Sequence, residues 1–231
     1  MTLKARYEIE KADVVIGYSK YVDLVRSLVK STVEVIASEM GKEVERAILA
    51  IERAMEGKYV VVVSGGDPGV YGMAGLILEV AERLGANVPI EIVPGVTAAT
   101  AAAAAVGAPL MSDFAVISLS DLLTPWGEIE RRLRAAAEAD FVIVLYNPQS
   151  RSRREPLFRA HKILLEYRSP ETPVGIVRNA CREDEQKVIT TLKDMFSHEI
   201  DMATTIIVGN SKTRIINGRV VTPRGYNIAF G

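Results

Sequence analysis

The sequence is poor in the residues that most often carry chemistry. Its 231 residues include one cysteine (Cys181), two histidines (His161 and His198) and one tryptophan (Trp126). A lone cysteine closes no intrachain disulfide, and with two histidines it gives no zinc-ligand set. A disulfide scaffold and a structural zinc site are therefore excluded, and a reducing, cytoplasmic setting is expected. Neither sign of charge is in excess, with 28 Lys and Arg against 29 Asp and Glu. That balance gives no electrostatic ground for a dedicated nucleic-acid binder. Long apolar runs are absent as well. The longest, Ala98 to Val106, is alanine-rich and well short of the roughly 18 residues that span a bilayer. Met1 to Arg6 is charged and lacks the apolar stretch of a signal peptide, so neither export nor membrane insertion is expected. The chain is 48% hydrophobic, enough apolar side chain to offset the entropy of folding.

Short, continuously apolar runs alternate with amphipathic stretches, the pattern of strands buried on both faces beneath covering helices. The first half predicts strands at Val14-Val15-Ile16, Tyr59 to Ser64 and Ile90 to Val93. Helices are expected over Ser38 to Gly57 and Thr97 to Val106. From Phe114 the alternation restarts. Strands are expected at Phe114 to Leu119, Phe141 to Leu145, Val174 to Val177, Val188 to Thr190 and Thr204 to Val208, and helices from about Pro125 to Glu138 and Arg154 to Tyr167. Asn217-Gly218 between β-branched pairs marks a hairpin over Arg214 to Val221. A Gly/Pro break at Ala108 to Asp113 divides this α/β chain into expected domains of residues 1–110 and 111–231, the first sheet mainly parallel and the second mixed.

Three strand ends attract attention. In Ser64-Gly65-Gly66-Asp67-Pro68-Gly69-Val70-Tyr71-Gly72, two glycines leave main chain accessible at the carboxyl end of a buried strand, where open α/β folds bind ligands. The same residues also suit a plain strand-to-helix turn. Dinucleotide and Walker spacings are absent. Val93-Pro94-Gly95-Val96-Thr97-Ala98-Ala99 is a second such end, with Thr97 as helix cap or ligand contact. Leu145-Tyr146-Asn147-Pro148-Gln149-Ser150 is a third, equally readable as a turn.

Together with Ser118-Leu119-Ser120-Asp121-Leu122-Leu123-Thr124-Pro125-Trp126, Val177-Arg178-Asn179-Ala180 and Thr205 to Ser211, these strings resemble the S-adenosylmethionine-dependent tetrapyrrole methylases. The likeness runs almost end to end. It is strongest to the branch that methylates C17 of precorrin-3B or cobalt-factor III with ring contraction in cobalamin biosynthesis. The resemblance implies a two-domain homodimer with the methyl donor in the cleft between domains. Gly65, Gly66, Asp67 and Val70 would line the donor, and Thr97 and Ala98 would close over it. Tyr146, Asn147, Ala180, Thr204 and Thr205 would hold its adenosine part, although Asn147 stands where sibling enzymes often carry methionine. An acidic corrinoid would need cations, for which Arg151 and Arg153 are candidates, with Ser120 and Asp121 nearby. No catalytic base is assigned, and no resident metal is expected.

The alternatives are a C11 or C20 methylase, relatives acting on diphthamide precursors or ribosomal RNA, and a non-catalytic nucleoside-binding module. Relatives also open with a strand and a Gly-Pro-Gly loop that precede a Leu/Met-Thr pair. Met1-Thr2-Leu3 matches the residues just after that loop, so the first strand is expected to be missing, with a start assigned too far downstream as the favoured reading.

Overall fold

The computed structural model describes residues 1–150 and 152–227. The chain divides into two compact units, Met1–Thr97 and Ala98–Gly231.

The first unit runs α1 (Leu3–Lys11), β1 (Val14–Tyr18), α2 (Ser19–Val25), β2 (Glu34–Ser38), α3 (Glu43–Met55), β3 (Val60–Val63) and α4 (Ala74–Arg83). Thr2 caps α1 by accepting from the Ala5 amide at 3.2 Å, satisfying one of the donors that a helix start leaves open. The three strands are parallel in the order β2-β1-β3. Successive side chains point to opposite faces. Val14, Ile16, Val60 and Val62 therefore pack with α3 and α4, while Val15, Val61 and Val63 join the cluster that holds Ile9 of α1 and Val22 and Val25 of α2.

Two expectations fail in this unit. The helix expected over Ser38 to Gly57 is shorter, because Glu34–Ser38 is a strand in register with β1. Its half-exposed pattern hides the continuous apolar signature of a buried strand. Ile90 to Val93 forms no strand. Val88 and Ile90 pack on the α3–α4 core, Ile92 is 46% exposed, and β3 pairs only with β1, so the segment's apolar alternation finds no ladder partner.

The second unit runs α5 (Ala98–Val106), β4 (Gly107–Ala108), β5 (Phe114–Ser118), α6 (Trp126–Glu138), β6 (Val142–Tyr146), α7 (Glu155–Tyr167), β7 (Pro173–Arg178), β8 (Gln186–Thr191), β9 (Thr204–Val208), β10 (Arg214–Ile216) and β11 (Arg219–Val221). Its main sheet has the order β5-β6-β9-β7-β8, with β5 and β6 parallel and the β6–β9, β9–β7 and β7–β8 pairs antiparallel.

Alternation again assigns the faces. Ile143, Leu145, Val174, Ile176, Ile206 and Val208 pack under α6 and α7, whereas Val142, Val144, Val177 and Ile207 meet the alanines of α5. Ala99, Ala102 and Ala103 carry side chains small enough for helix and sheet to lie close. That packing places α5 and β4 in the second unit, whereas the Gly/Pro break in the sequence puts them in the first. The hairpin forms as expected, with Asn217 and Gly218 at φ 48° and 71°, the left-handed pair of a type I′ turn. No helix among the described residues is long and apolar enough to cross a membrane.

Candidate functional site

In the first unit, β3 delivers Ser64-Gly65-Gly66-Asp67 to the carboxyl edge of a parallel sheet. Gly66 adopts φ 75° and is exposed, a conformation open to glycine at little cost. Asp67 ties this loop together. One carboxylate oxygen accepts from the Gly69 amide at 2.8 Å and the other from the Gly95 amide at 2.9 Å. Gly95 is also pressed against the loop, since a Cβ built on it would stand 2.0 Å from the Gly66 carbonyl oxygen. Two of the sequence motifs are thus one structural object: Gly65, Gly66 and Asp67 lie against the Pro94-Gly95 turn that leads to Thr97. Val70 follows, its amide 3.2 Å from the Asp67 carbonyl. Tyr71 takes φ 53°, a strained setting for a bulky residue that costs about 1–2 kcal/mol. Sequence reasoning does not single out Gly95; the signal that could find it is its position between Pro94 and a small-residue helix.

The second unit collects its candidates by topology. Ser118 ends β5 opposite Tyr146, which ends β6, and Leu145 pairs with Ile206 of β9. Thr205 and Thr204 in turn pair with Val177 and Arg178 at the end of β7, just before Asn179-Ala180. The sheet register therefore brings Ser120, Asp121, Tyr146, Asn147, Ala180, Thr204 and Thr205 to a single sheet edge.

Hydrogen bonds then lock that edge. The Tyr146 hydroxyl accepts from the Ala99 amide at 2.6 Å, in the first turn of α5. Its carbonyl accepts from the Leu119 amide at 2.9 Å. Asn147, at φ 51°, donates through Nδ2 to Ser118 Oγ at 2.9 Å, and Ser118 Oγ also accepts from the Ser120 amide at 3.2 Å. Asparagine tolerates the left-handed conformation better than most residues, a physical reason for Asn at this position. Thr204 and Thr205 are buried, and the Thr204 hydroxyl donates to Asp201 Oδ1 and accepts from the Asp201 amide, both at 3.0 Å. Burial alone would raise the pKa of Asp201, but bonds from Arg178, Thr204 and the Ala203 amide outweigh it and hold the carboxyl below the usual aspartate range. Ala98 opens α5, and Asp121 is exposed. Arg151 lies outside the described residues.

Residues 1–195 match the family model described as Tetrapyrrole (Corrin/Porphyrin) Methylases. The chain belongs to the tetrapyrrole methylase family. This methylase is 47% identical to the probable cobalt-factor III C(17)-methyltransferase of Salmonella typhimurium, covering 99% of the chain and 94% of that protein. It is 48% identical to the cobalt-factor III methyltransferase of Priestia megaterium over 98% of the chain, and spans only 42% of that longer protein. Its fold superposes on the crystal structure of the methyltransferase CobJ with a TM-score of 0.91 at 38% identity, covering 96% of this chain and 93% of the other. The methylase uses S-adenosylmethionine as its methyl donor, as the resemblance implied.

The residues present suit such a donor. Gly66, at positive φ and exposed, offers main chain without a Cβ just beyond a strand end. Bound S-adenosylmethionine supplies an electrophilic methyl group on a sulfonium. Its positive charge disperses in the transition state, so the chain's task is to place the reactants and exclude water rather than to supply a strong acid or base.

Proposed function

We propose that this chain methylates C17 of a corrinoid, cobalt-factor III or precorrin-3B, with ring contraction. The observation that carries this reading is the near-complete match, at 47% identity, to a relative of almost the same length that bears the C17 name. The SLSDLLTPW and LYNPQS strings that suggest this branch in the sequence form the braced loops at one sheet edge.

In the first unit, Gly65, Gly66, Asp67, Val70 and Thr97 hold the donor, with Asp67 acting through the Gly69 and Gly95 amides that it fixes. In the second, Ala98 closes over the donor, and Tyr146, Asn147, Ala180, Thr204 and Thr205 serve its adenosine part. Ser120 and Asp121 face the macrocycle, with Arg151 as a cation for its carboxylates. Holding the methyl group and the ring carbon in line supplies about 7–11 kcal/mol of the barrier lowering. The enzyme works as a cytoplasmic homodimer on a small-molecule substrate, without nucleic acid or membrane.

The test is to incubate the protein with labelled S-adenosylmethionine and each corrinoid in turn. Transfer of label to a ring-contracted product supports the reading. Binding of S-adenosylhomocysteine with no transfer to either corrinoid overturns it in favour of a non-catalytic nucleoside-binding module. Label transfer that yields a C11 or C20 product overturns the C17 assignment alone.

A further inference from the structure

Arg153 reads in the sequence as a cation for substrate carboxylates, yet its guanidinium already has partners inside the second unit. Its side chain is 17% exposed. Nη1 donates to the Leu119 carbonyl at 2.6 Å, and Nη2 donates to the Asn147 carbonyl at 2.9 Å and lies 3.7 Å from Met202 Sδ. Nε stands 4.0 Å from Asp121 Oδ1. The backbone of Arg153 is itself fixed, because its carbonyl accepts from the Ser150 amide at 2.9 Å and its amide donates to the Ser150 carbonyl at 3.3 Å.

The two carbonyls belong to different loops. Leu119 opens the loop that carries Ser120 and Asp121, and Asn147 sits in the left-handed turn that follows Tyr146. A guanidinium presents a rigid planar fork of donors and can hold two acceptors in a fixed relation; an ammonium is a point donor on a flexible stem. Both terminal nitrogens of the fork are already engaged on backbone oxygens of the second unit, which fixes the orientation of the side chain.

We infer that Arg153 is a positioning residue that clamps the Ser120–Asp121 loop to the Tyr146–Asn147 loop, and so sets the substrate side of the site against the donor side. The inference rests on the functional reading above for what the two loops hold. The clamp itself rests only on the geometry of the second unit. A cation recruited for substrate carboxylates would act on KM and would be screened by salt. A clamp acts on alignment, where a misplacement of about 1 Å costs on the order of 10²-fold in rate.

The experiment compares the intact protein with Arg153→Lys, which keeps the charge and loses the fork, and Arg153→Gln, which removes the charge. Steady-state kinetics with the corrinoid that is turned over should show kcat falling about 10²-fold in both variants, with corrinoid KM within about twofold of the parent. Hydrogen–deuterium exchange should rise together in residues 119–124 and 147–150, while the remainder of the sheet keeps its protection. A tenfold rise in KM with kcat unchanged, relieved in Arg153→Lys, would overturn the inference in favour of direct substrate contact. If the parent turns over no corrinoid, the functional reading fails. Exchange then decides the clamp by itself: unchanged protection of both loops in the two folded variants overturns it.

Discussion

Replacing Gly95 with alanine perturbs the first unit at one atom. Gly95 is not held at positive φ, so alanine meets no backbone strain and the effect is steric alone. The added Cβ would stand 2.0 Å from the Gly66 carbonyl oxygen, 2.9 Å from the Gly66 carbonyl carbon and 3.1 Å from Asp67 Cα. Contacts between carbon and oxygen closer than about 3 Å are strongly repulsive, so the two loops must part by about 1 Å. The bond from the Gly95 amide to Asp67, 2.9 Å long, is stretched by the same movement. Overpacking of this kind costs about 1–3 kcal/mol, and Tm falls by about 2–4 °C for each kcal/mol in a protein of this size. If the Gly66 loop holds the methyl donor, affinity for S-adenosylhomocysteine should drop about 10- to 100-fold by titration calorimetry, since 1.4 kcal/mol is a factor of ten. Gly75→Ala is the matched control. A Cβ there meets nothing within 4 Å, and alanine is the better helix former within α4. It should leave affinity unchanged and raise Tm slightly. Unchanged affinity in a folded Gly95→Ala protein would refute the placement of the donor on this loop.

Removing the Tyr146 hydroxyl with Tyr146→Phe leaves the buried Ala99 amide without its 2.6 Å acceptor; stability should fall by about 1–3 kcal/mol in urea titrations, and donor affinity should weaken. Arg168 is buried, with Nη1, Nη2 and Nε on the carbonyls of Ala137, Phe141 and Gly209 at 2.7, 3.0 and 3.4 Å. Arg168→Met should therefore cost about 3 kcal/mol, seen as a lower thermal midpoint, and an unshifted midpoint would show the brace to be idle. The pH dependence has a definite sign. Burial opposes ionisation of Asp140 and Asp201, but hydrogen bonds from Ser211 and the positive charge of Arg168 beside the first, and hydrogen bonds from Arg178, Thr204 and the Ala203 amide to the second, hold both below the ordinary value of about 3.9. The stability they contribute is complete above that value and lost as pH falls through their depressed folded values, with no change expected from them between pH 6 and 8. Asp140→Asn and Asp201→Asn should flatten the acid limb of a stability–pH curve, and an acid limb parallel to that of the parent would contradict the assignment.

Much of this architecture is legible in the sequence because its signals are local. The buried strands announce themselves as unbroken Val/Ile runs, and Asn217-Gly218 specifies its hairpin through backbone conformation alone. Glu34–Ser38 escapes because a short edge strand with no fully buried residue carries a weak apolar signature. Ile90 to Val93 misleads because a strand exists only with a partner, and no periodicity reveals whether one is there. The α5 helix falls in the wrong unit for a similar reason: the alanines predict a helix that packs closely, but not the sheet on which it packs. The Gly65-Gly66-Asp67 and Tyr146-Asn147 motifs do fall just beyond strands, whereas Pro94-Gly95 follows a segment that forms none, and the Asp67–Gly95 and Arg153–Leu119 contacts join residues 28 and 34 positions apart. Such long-range braces leave no mark in spacing. Asp67 and Arg153, both readable as ligand contacts, have their charged groups turned onto the protein's own backbone.

The proposed reaction is methyl transfer to corrin C17. The most direct measurement is nuclear magnetic resonance of the product formed from cobalt-factor III or precorrin-3B with S-adenosylmethionine carrying a carbon-13 methyl group. Methylation at C17 should give one new labelled methyl resonance, correlated to C17 of a ring-contracted macrocycle. A labelled methyl on another ring carbon, or recovery of both corrinoids unchanged beside a protein that binds S-adenosylhomocysteine, would contradict it.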